Sequence, residues 1–284
     1  MRRVGFCSFL FAALGLSGCG RPPSPLVITS GPRFQVSAGR GTHALSSWHD
    51  TRVLRVCADP DNLPFSNFAE EGVENRIAEL IAADLNARLE YTWWPRRRGV
   101  ARHPLTRRKC DVILSLSARL DRVESTAPYY QSTYMLVSRR AAGVSVSSLD
   151  DPLLKRLRIG VPLSGEGRRP DSALAEALAR HGLSDNVTGY RWSDDSSAPQ
   201  ELWQALTSGE VDGVIVWGPF AGYFAKRAPL PGLVVRQLPL AHGVSAGVRS
   251  GDTATRESVE EAFSRHAGEI RRLLLDYGFP LLEL

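Results

Sequence analysis

The sequence predicts an α/β protein built as two lobes with a cleft between them. Short β-branched runs end abruptly in polar, turn-forming residues, as buried parallel strands do. These runs alternate with segments whose apolar residues recur at helical spacing. The alternation occurs twice, in two units of similar size, each offering loops at the carboxyl ends of its strands. Ligands of open α/β sheets bind at such loops, and two-lobed proteins of this kind close around them by hinge motion.

The chain has 284 residues, 43% of them hydrophobic and 23% charged, the composition of an ordinary globular protein. A net charge of +5 is too small to argue for nucleic-acid binding. At the amino end Arg2 and Arg3 precede an apolar run from Phe6 to Leu16, and Leu16-Ser17-Gly18-Cys19 resembles a bacterial lipobox. Residues 1–18 are therefore expected to be a lipoprotein signal peptide, with Cys19 carrying the lipid that anchors the protein to a bacterial membrane on the periplasmic side. Residues 19–52, rich in proline, glycine and serine, read as a flexible tether.

The folded body is predicted to begin with a strand from Val53 to Ala58. It delivers the polar, aromatic-tipped loop Asp59-Pro60-Asp61-Asn62-Leu63-Pro64-Phe65-Ser66-Asn67. Val73, Ile77, Leu80, Ile81 and Leu85 then describe an amphipathic helix, and Leu89 to Trp94 a second strand stopped by Pro95. Residues 95–109 carry seven Lys or Arg and no acid. Such a run is either simply solvated or faces an acidic partner surface or anionic lipid headgroups; on the partner reading Arg96, Arg97, Arg98, Arg107 and Arg108 are docking residues. Trp93 and Trp94 beside it are core residues or interface anchors, with one of the two expected in the core. Asp111 to Leu116 is a third strand.

Thr126 to Val137 reads as a turn feeding a long aromatic and β-branched strand. A second α/β unit opens at Leu157 to Pro162 and passes a Gly-rich loop at Ser164-Gly165-Glu166-Gly167. It enters a helix capped by Asp171 and stopped at Gly182. Strands at Val187–Trp192 and Val211–Trp217 flank a helix at Gln200–Ser208. The last strands are Leu233–Leu238 and Val244–Val248, and one long helix carries Val259, Phe263, Ile270, Leu273, Leu274 and Tyr277.

Local signatures of catalysis are missing. There is no G-x-S-x-G elbow, no Walker A pattern and no G-x-G-x-x-G after a strand. The six histidines are scattered, with no i, i+4 pair, so neither a metal nor a cofactor is expected and the protein reads as a non-enzyme. An enzyme with a dispersed site, such as a dehydratase, is the weakest reading. Cys57 and Cys110 admit two readings in an oxidising compartment: a disulfide between two strands, or two buried apolar thiols. A binding constellation remains, in which Asp59, Asn62 and Phe65 stand on the first strand's loop and Arg119 and Arg122 follow the third. Ser164 and Gly165 enter a helix, while Trp217 and Tyr223 follow a late strand. Arginine forks and helix amino ends hold anions, and aromatic faces cover the apolar part of a ligand.

Several segments together resemble the quinoprotein dehydrogenase-associated substrate-binding proteins, the J proteins of methanol-dehydrogenase gene clusters. These are Cys57 to Asn67, Glu90 to Pro95, Cys110-Asp111-Val112, Pro128-Tyr129-Tyr130 and Val216 to Arg227, the last containing W-G-P-x-A-G-Y-F-A-K-R. The resemblance runs from about Val53 to the carboxyl end. It implies a type II-like periplasmic solute-binding fold with two crossing strands, lobe 1 taking residues 53–133 plus 244–284 and lobe 2 residues 134–243. It further implies a monomeric accessory or maturation factor for a periplasmic quinoprotein dehydrogenase, an alcohol or methanol enzyme that uses pyrroloquinoline quinone. The alternative is an ABC-transporter receptor for a small organic acid or alcohol-derived metabolite. This chain departs from amino-acid receptors, which place an Asp near the end of the late strand where it has Trp217; a ligand ammonium would be left poorly paired. Arg119 and Arg122 make their loop more basic than is typical of the dehydrogenase-associated group, which keeps an anionic ligand open. The lipobox is a further departure from soluble relatives.

Overall fold

A computed structural model describes residues 48–95, 102–116, 121–146, 148–164, 169–170, 172–191, 200–227 and 232–283. The predicted leader and residues 19–47 of the predicted tether lie outside them. Residues 48–51, which the sequence assigns to the tether, form a short helix. Helix α1 (Trp48–Thr51) buries Trp48, whose indole N–H donates to Thr255 Oγ1 at 3.1 Å.

The chain continues through β1 (Val53–Ala58), the hairpin β2 (Asp61–Asn62) and β3 (Ser66–Asn67), α2 (Val73–Asp84) and β4 (Arg88–Trp93). Short α3 (Arg102–Thr106) precedes β5 (Val112–Leu116), β6 (Val123–Ser125) and the long β7 (Tyr130–Arg139). The second run comprises β8 (Ile159–Ser164), β9 (Arg169–Pro170), α4 (Ser172–Arg180), β10 (Val187–Arg191), α5 (Gln200–Ser208), β11 (Gly213–Trp217) and α6 (Gly218–Arg227). Strand β12 (Leu233–Arg249) returns to the first half, followed by α7 (Thr253–Arg265), α8 (Ala267–Asp276) and β13 (Leu281–Leu282).

Among the described residues the main strands follow one path, β10-β8-β11-β7-β12-β5-β1-β4. At one end β1 is parallel to β4 and β5; at the other β8 is parallel to β10 and β11. The two ends are joined by β7 and β12, which run antiparallel to each other and are the crossing strands of a two-lobed fold. Strand β12 serves both lobes, pairing with β7 from Leu233 to Val244 and with β5 and β6 from Ser245 to Arg249. The two late strands read from the sequence are thus one strand, with a register shift between Gln237 and Ala241.

Burial follows the predicted periodicity. Val73, Ile77, Ala78 and Ile81 of α2 join Leu54, Val56, Val112, Val259 and Phe263 in one core, whereas Ile159, Val161, Leu174, Leu178 and Ile215 form a second. The expected single C-terminal helix is two. The chain breaks at His266, whose Nε2 lies 2.9 Å from Asp84 Oδ1 at the end of α2 while Arg265 grips the same carboxylate. This corner turns Ile270 and Leu274 of α8 into the first core.

Helix α6 packs in an unusual way. It starts directly at the end of β11, yet Phe220 enters the first core, 5.1 Å from Phe65. Gly222 lies so close to the turn at Gly278 that a Cβ on it would overlap the Gly278 carbonyl, and one on Gly218 would overlap the Thr133 carbonyl. Gly278 itself sits at φ +85, a conformation only glycine adopts readily. Lys226 Nζ donates to the Asp276 carbonyl at 2.7 Å, and the Arg227 guanidinium lies 4.0 Å over Tyr223 and 5.2 Å over Tyr277. Strand β13 closes the joint by pairing with β7, and Ser132 Oγ donates to the Pro280 carbonyl at 2.6 Å. Helix α6 is therefore fastened to the C-terminal segment by backbone contact, cation–π contact and hydrogen bonds together.

Candidate functional site

Strand β1 ends at Ala58 level with Trp93 of β4, so the loop that follows stands at the carboxyl edge of the first lobe's sheet. Asp59 is held by its own turn. Its N–H donates to Ser66 Oγ at 3.2 Å, its carbonyl accepts from the same hydroxyl at 2.8 Å, and its Oδ1 accepts the Asp61 N–H at 2.9 Å. Asn62, half-buried, occupies the hairpin strand β2. Both residues stand on the loop at that edge, where the sequence places them as cleft residues, and the contacts seen for Asp59 are those of the turn itself. Phe65 does not line a cleft: it is 6% exposed and makes edge-to-face contacts with Phe220 and Phe279 at 5.1 and 5.6 Å. Its aromatic ring is satisfied by core packing.

Arg122 is also corrected. Strands β5 and β6 both run antiparallel to β12, and Val123 pairs with Arg249 beside the Val112–Val248 pair. The chain after β5 therefore doubles back, leaving Arg122 exposed at the amino end of that strand, opposite the cleft edge. There its carbonyl accepts the Ser250 N–H at 3.1 Å. Tyr223 likewise faces α8 rather than a cleft, buried beneath Arg227 and stacked at 6.1 Å on Tyr277. Burial raises its hydroxyl's pKa, the Arg227 charge opposing. Arg119, Gly165, Cys19, Arg96, Arg97 and Arg98 lie outside the described residues, as does the side chain of Ser164. Arg107 and Arg108 are exposed on the turn after α3.

Trp217 ends β11 opposite Tyr134 of β7, where the two lobes meet. The rings touch edge to face at 5.1 Å, and His242 of β12 stands 5.9 Å from Tyr134 and 6.0 Å from Trp217. His242 Nε2 is buried and makes no hydrogen bond among the described residues. This trio offers flat apolar faces and one unengaged nitrogen, chemistry suited to holding a small planar or hydroxylated group. Sequence reasoning had Trp217 but missed Tyr134 and His242 as its companions. Tyr134 was visible only as part of the crossing strand, and His242 stood alone.

A second polar group lies under the first lobe's cleft edge. Glu74, in the first turn of α2, is buried and accepts a hydrogen bond from Ser115 Oγ at the end of β5. The amino end of a helix favours a carboxylate there. The Tyr129 hydroxyl donates to the Leu114 carbonyl at 3.0 Å. Burial, with the negative Glu74 nearby, raises the pKa of both Tyr129 and Tyr130 well above the usual phenol value. Both phenols stay protonated at neutral pH.

A disulfide links Cys57 of β1 to Cys110, with the Cα atoms 5.5 Å apart. Cys110 is also gripped from β12, because Arg249 Nη1 donates to its carbonyl at 2.6 Å. Arg249 Nη2 reaches Asp252 at 2.7 Å and Asp111 at 3.3 Å, and Asp111, 1% exposed, accepts the Arg55 N–H through its other oxygen at 3.0 Å. The turn carrying Arg107, Arg108 and Lys109 is thus rooted in the core at its carboxyl end.

No family model matches the chain. Among solved structures it is similar to the periplasmic binding protein XoxJ of Methylobacterium extorquens AM1, with 31% identity and a TM-score of 0.63, covering 81% of this chain and 100% of that one. It is similar to MxaJ of Methlophaga aminisulfidivorans MPT, with 25% identity and a TM-score of 0.69 at the same coverage. Protein MoxJ of Methylorubrum extorquens is 26% identical over 249 residues, 82% of this chain and 83% of that protein.

Proposed function

Since this chain belongs to the MoxJ-like family of periplasmic solute-binding proteins, we propose that it is a non-enzymatic accessory or maturation factor for a periplasmic quinoprotein alcohol dehydrogenase. The observation that carries this reading is the use made of the W-G-P-x-A-G-Y-F-A-K-R segment. The residues that set the family apart from general receptors form α6 and fasten it to the C-terminal segment, with Phe220 and Tyr223 turned inward. Trp217 supports the same reading, because an amino-acid ligand would meet an indole where its ammonium needs a carboxylate. Deleting the gene is expected to lower holo-dehydrogenase activity without changing uptake of small solutes; normal activity in the deletion strain would refute the proposal.

A transport-receptor role is the second reading, favoured by the Tyr134–Trp217–His242 trio with its unengaged nitrogen. It requires a metabolite that raises the melting temperature by mass action, and a Trp217→Ala variant that loses the shift. In either role the lipobox places the mature protein on a periplasmic membrane face through Cys19. Recovery of Cys19→Ala in the soluble periplasmic fraction is the test.

A further inference from the structure

Strand β4 is the last strand of the sheet path, and among the described residues nothing pairs with its outer edge. Tyr91 and Trp93 share one of its faces, stacked at 4.7 Å with an interplanar angle of 25°, and Phe68 extends the row 4.8 Å beyond Trp93. Phe68 is 66% exposed, the most exposed large hydrophobic among the described residues. It is nevertheless held firmly. Its N–H donates to the Pro60 carbonyl at 2.9 Å. Asn67 beside it exchanges hydrogen bonds with Glu71, accepting the Glu71 N–H at 2.8 Å and donating to its carboxylate at 2.9 Å. A rigid, outward aromatic loses little entropy when covered, which is what makes such residues interface anchors.

The basic turn 107–109 is tied by its backbone to the same strand. Thr92 Oγ1 donates to the Lys109 carbonyl at 2.7 Å, and the disulfide beneath it fixes the turn that carries Arg107, Arg108 and Lys109. All three side chains are exposed, and none forms an ion pair with a described acid. An anchoring row beside unpaired charge matches the apolar centre and charged rim of a protein interface. The exposed acids Asp61, Glu70 and Glu71 stand on the same hairpin and turn as Phe68 and would repel an anionic lipid surface there. A protein can present charges of both signs in register.

We infer that the edge formed by Phe68, Tyr91 and Trp93 together with Arg107, Arg108 and Lys109 is a docking surface for a protein partner. That partner presents an apolar pocket flanked by acidic residues. The inference deepens the accessory reading and rests on it, with the quinoprotein dehydrogenase as the partner.

The test is binding of the purified full chain to the quinoprotein dehydrogenase isolated from the same periplasm. Phe68→Ala should weaken the complex by about ten-fold or more. Arg107→Glu with Lys109→Glu should slow association, and the wild-type rate should fall between about 50 and about 200 mM salt. Arg180→Glu, on α4, should change nothing, and circular dichroism should show every variant folded. Wild-type binding with unchanged Phe68 and charge-reversal variants overturns this surface while leaving the accessory role standing. Failure of the wild type to bind the dehydrogenase overturns docking itself. Binding to phosphatidylethanolamine–phosphatidylglycerol vesicles that the same variants abolish overturns the protein partner in favour of a membrane.

Discussion

Reducing the Cys57–Cys110 disulfide should cost about 4 kcal/mol of folding stability. The figure follows from the sequence separation of 53 residues. In the chain-entropy account, closing a loop of that length removes about 14 cal/mol/K from the unfolded ensemble, or about 4 kcal/mol at 25 °C. Both cysteines are buried beside Leu105 and Ile113, so the reduced thiols remain in an apolar setting and gain little from solvation in the folded state. For a body of this size the loss corresponds to a melting temperature lower by about 8–16 °C. Urea and thermal unfolding, each with and without a phosphine reductant, measure it. Thiol titration in denaturant without reductant should find neither Cys57 nor Cys110 free. Labelling of Cys57 and Cys110 in that denatured, unreduced protein, or a reduced protein that melts within about a degree of the oxidised one, would refute the reasoning.

Replacing Arg249 with Met leaves Asp111 buried without its cation, and unfolding in urea should show a loss of about 3–5 kcal/mol; a loss under about 1 kcal/mol would mean the network contributes little. Gly222→Ala drives a methyl into the Gly278 carbonyl and should destabilise by about 1–3 kcal/mol, whereas Gly268→Ala, on α8 with only the Arg272 side chain at an ordinary 3.9 Å contact, should be neutral or stabilising by up to about 1 kcal/mol. Equal effects of the two substitutions would remove the case for close α6 contact. Asp84 and Asp212 both have lowered carboxyl pKa values in the folded protein, chiefly through hydrogen bonds from Arg265 and Arg158. Their contribution is therefore present above the unfolded carboxylate pKa, near 3.9, and is lost as pH falls through the lower folded values. Asp84→Asn should flatten the acid limb of the stability–pH curve, and an unchanged limb in that variant would contradict the assignment.

The sheet was legible where burial writes itself into local pattern. Val53–Ala58, the Val73–Asp84 helix and the Gln200–Ser208 helix emerged from periodicity alone, because each packs one face on a core and its residue choice records that face. Phe65 was misread because its neighbours, Phe220 and Phe279, come from distant parts of the chain, and an aromatic at a loop tip carries no mark of whether its partner is ligand or core. Arg122 was misplaced because the chain returns to the amino end of β5 before β6, a three-residue strand with no apolar run to announce it. Tyr223 had a readable signal that went unused: Arg227 four residues on, the spacing at which a cation can cover a ring on the same helix face. The glycines of G-P-F-A-G carried a similar hint, since glycine within a helix marks close backbone approach. His242 offered no pattern, and only the meeting of three strands gives it companions.

The shared strand β12 has a consequence for how the protein comes to be folded. The first lobe's sheet, begun at Val53, is completed only by Ser245–Arg249, and its core waits for Val259, Phe263 and Phe279 near the end of the chain. A chain emerging amino end first therefore cannot finish its first lobe until nearly all of it has been delivered, although residues 134–243 hold most of what the second lobe requires. Pairings this distant in sequence slow folding, because the entropy of closing the intervening chain must be lost before any contact compensates it. The second lobe should acquire amide protection first and the first lobe later, leaving Leu54, Val56 and Val112 open to other chains during the interval.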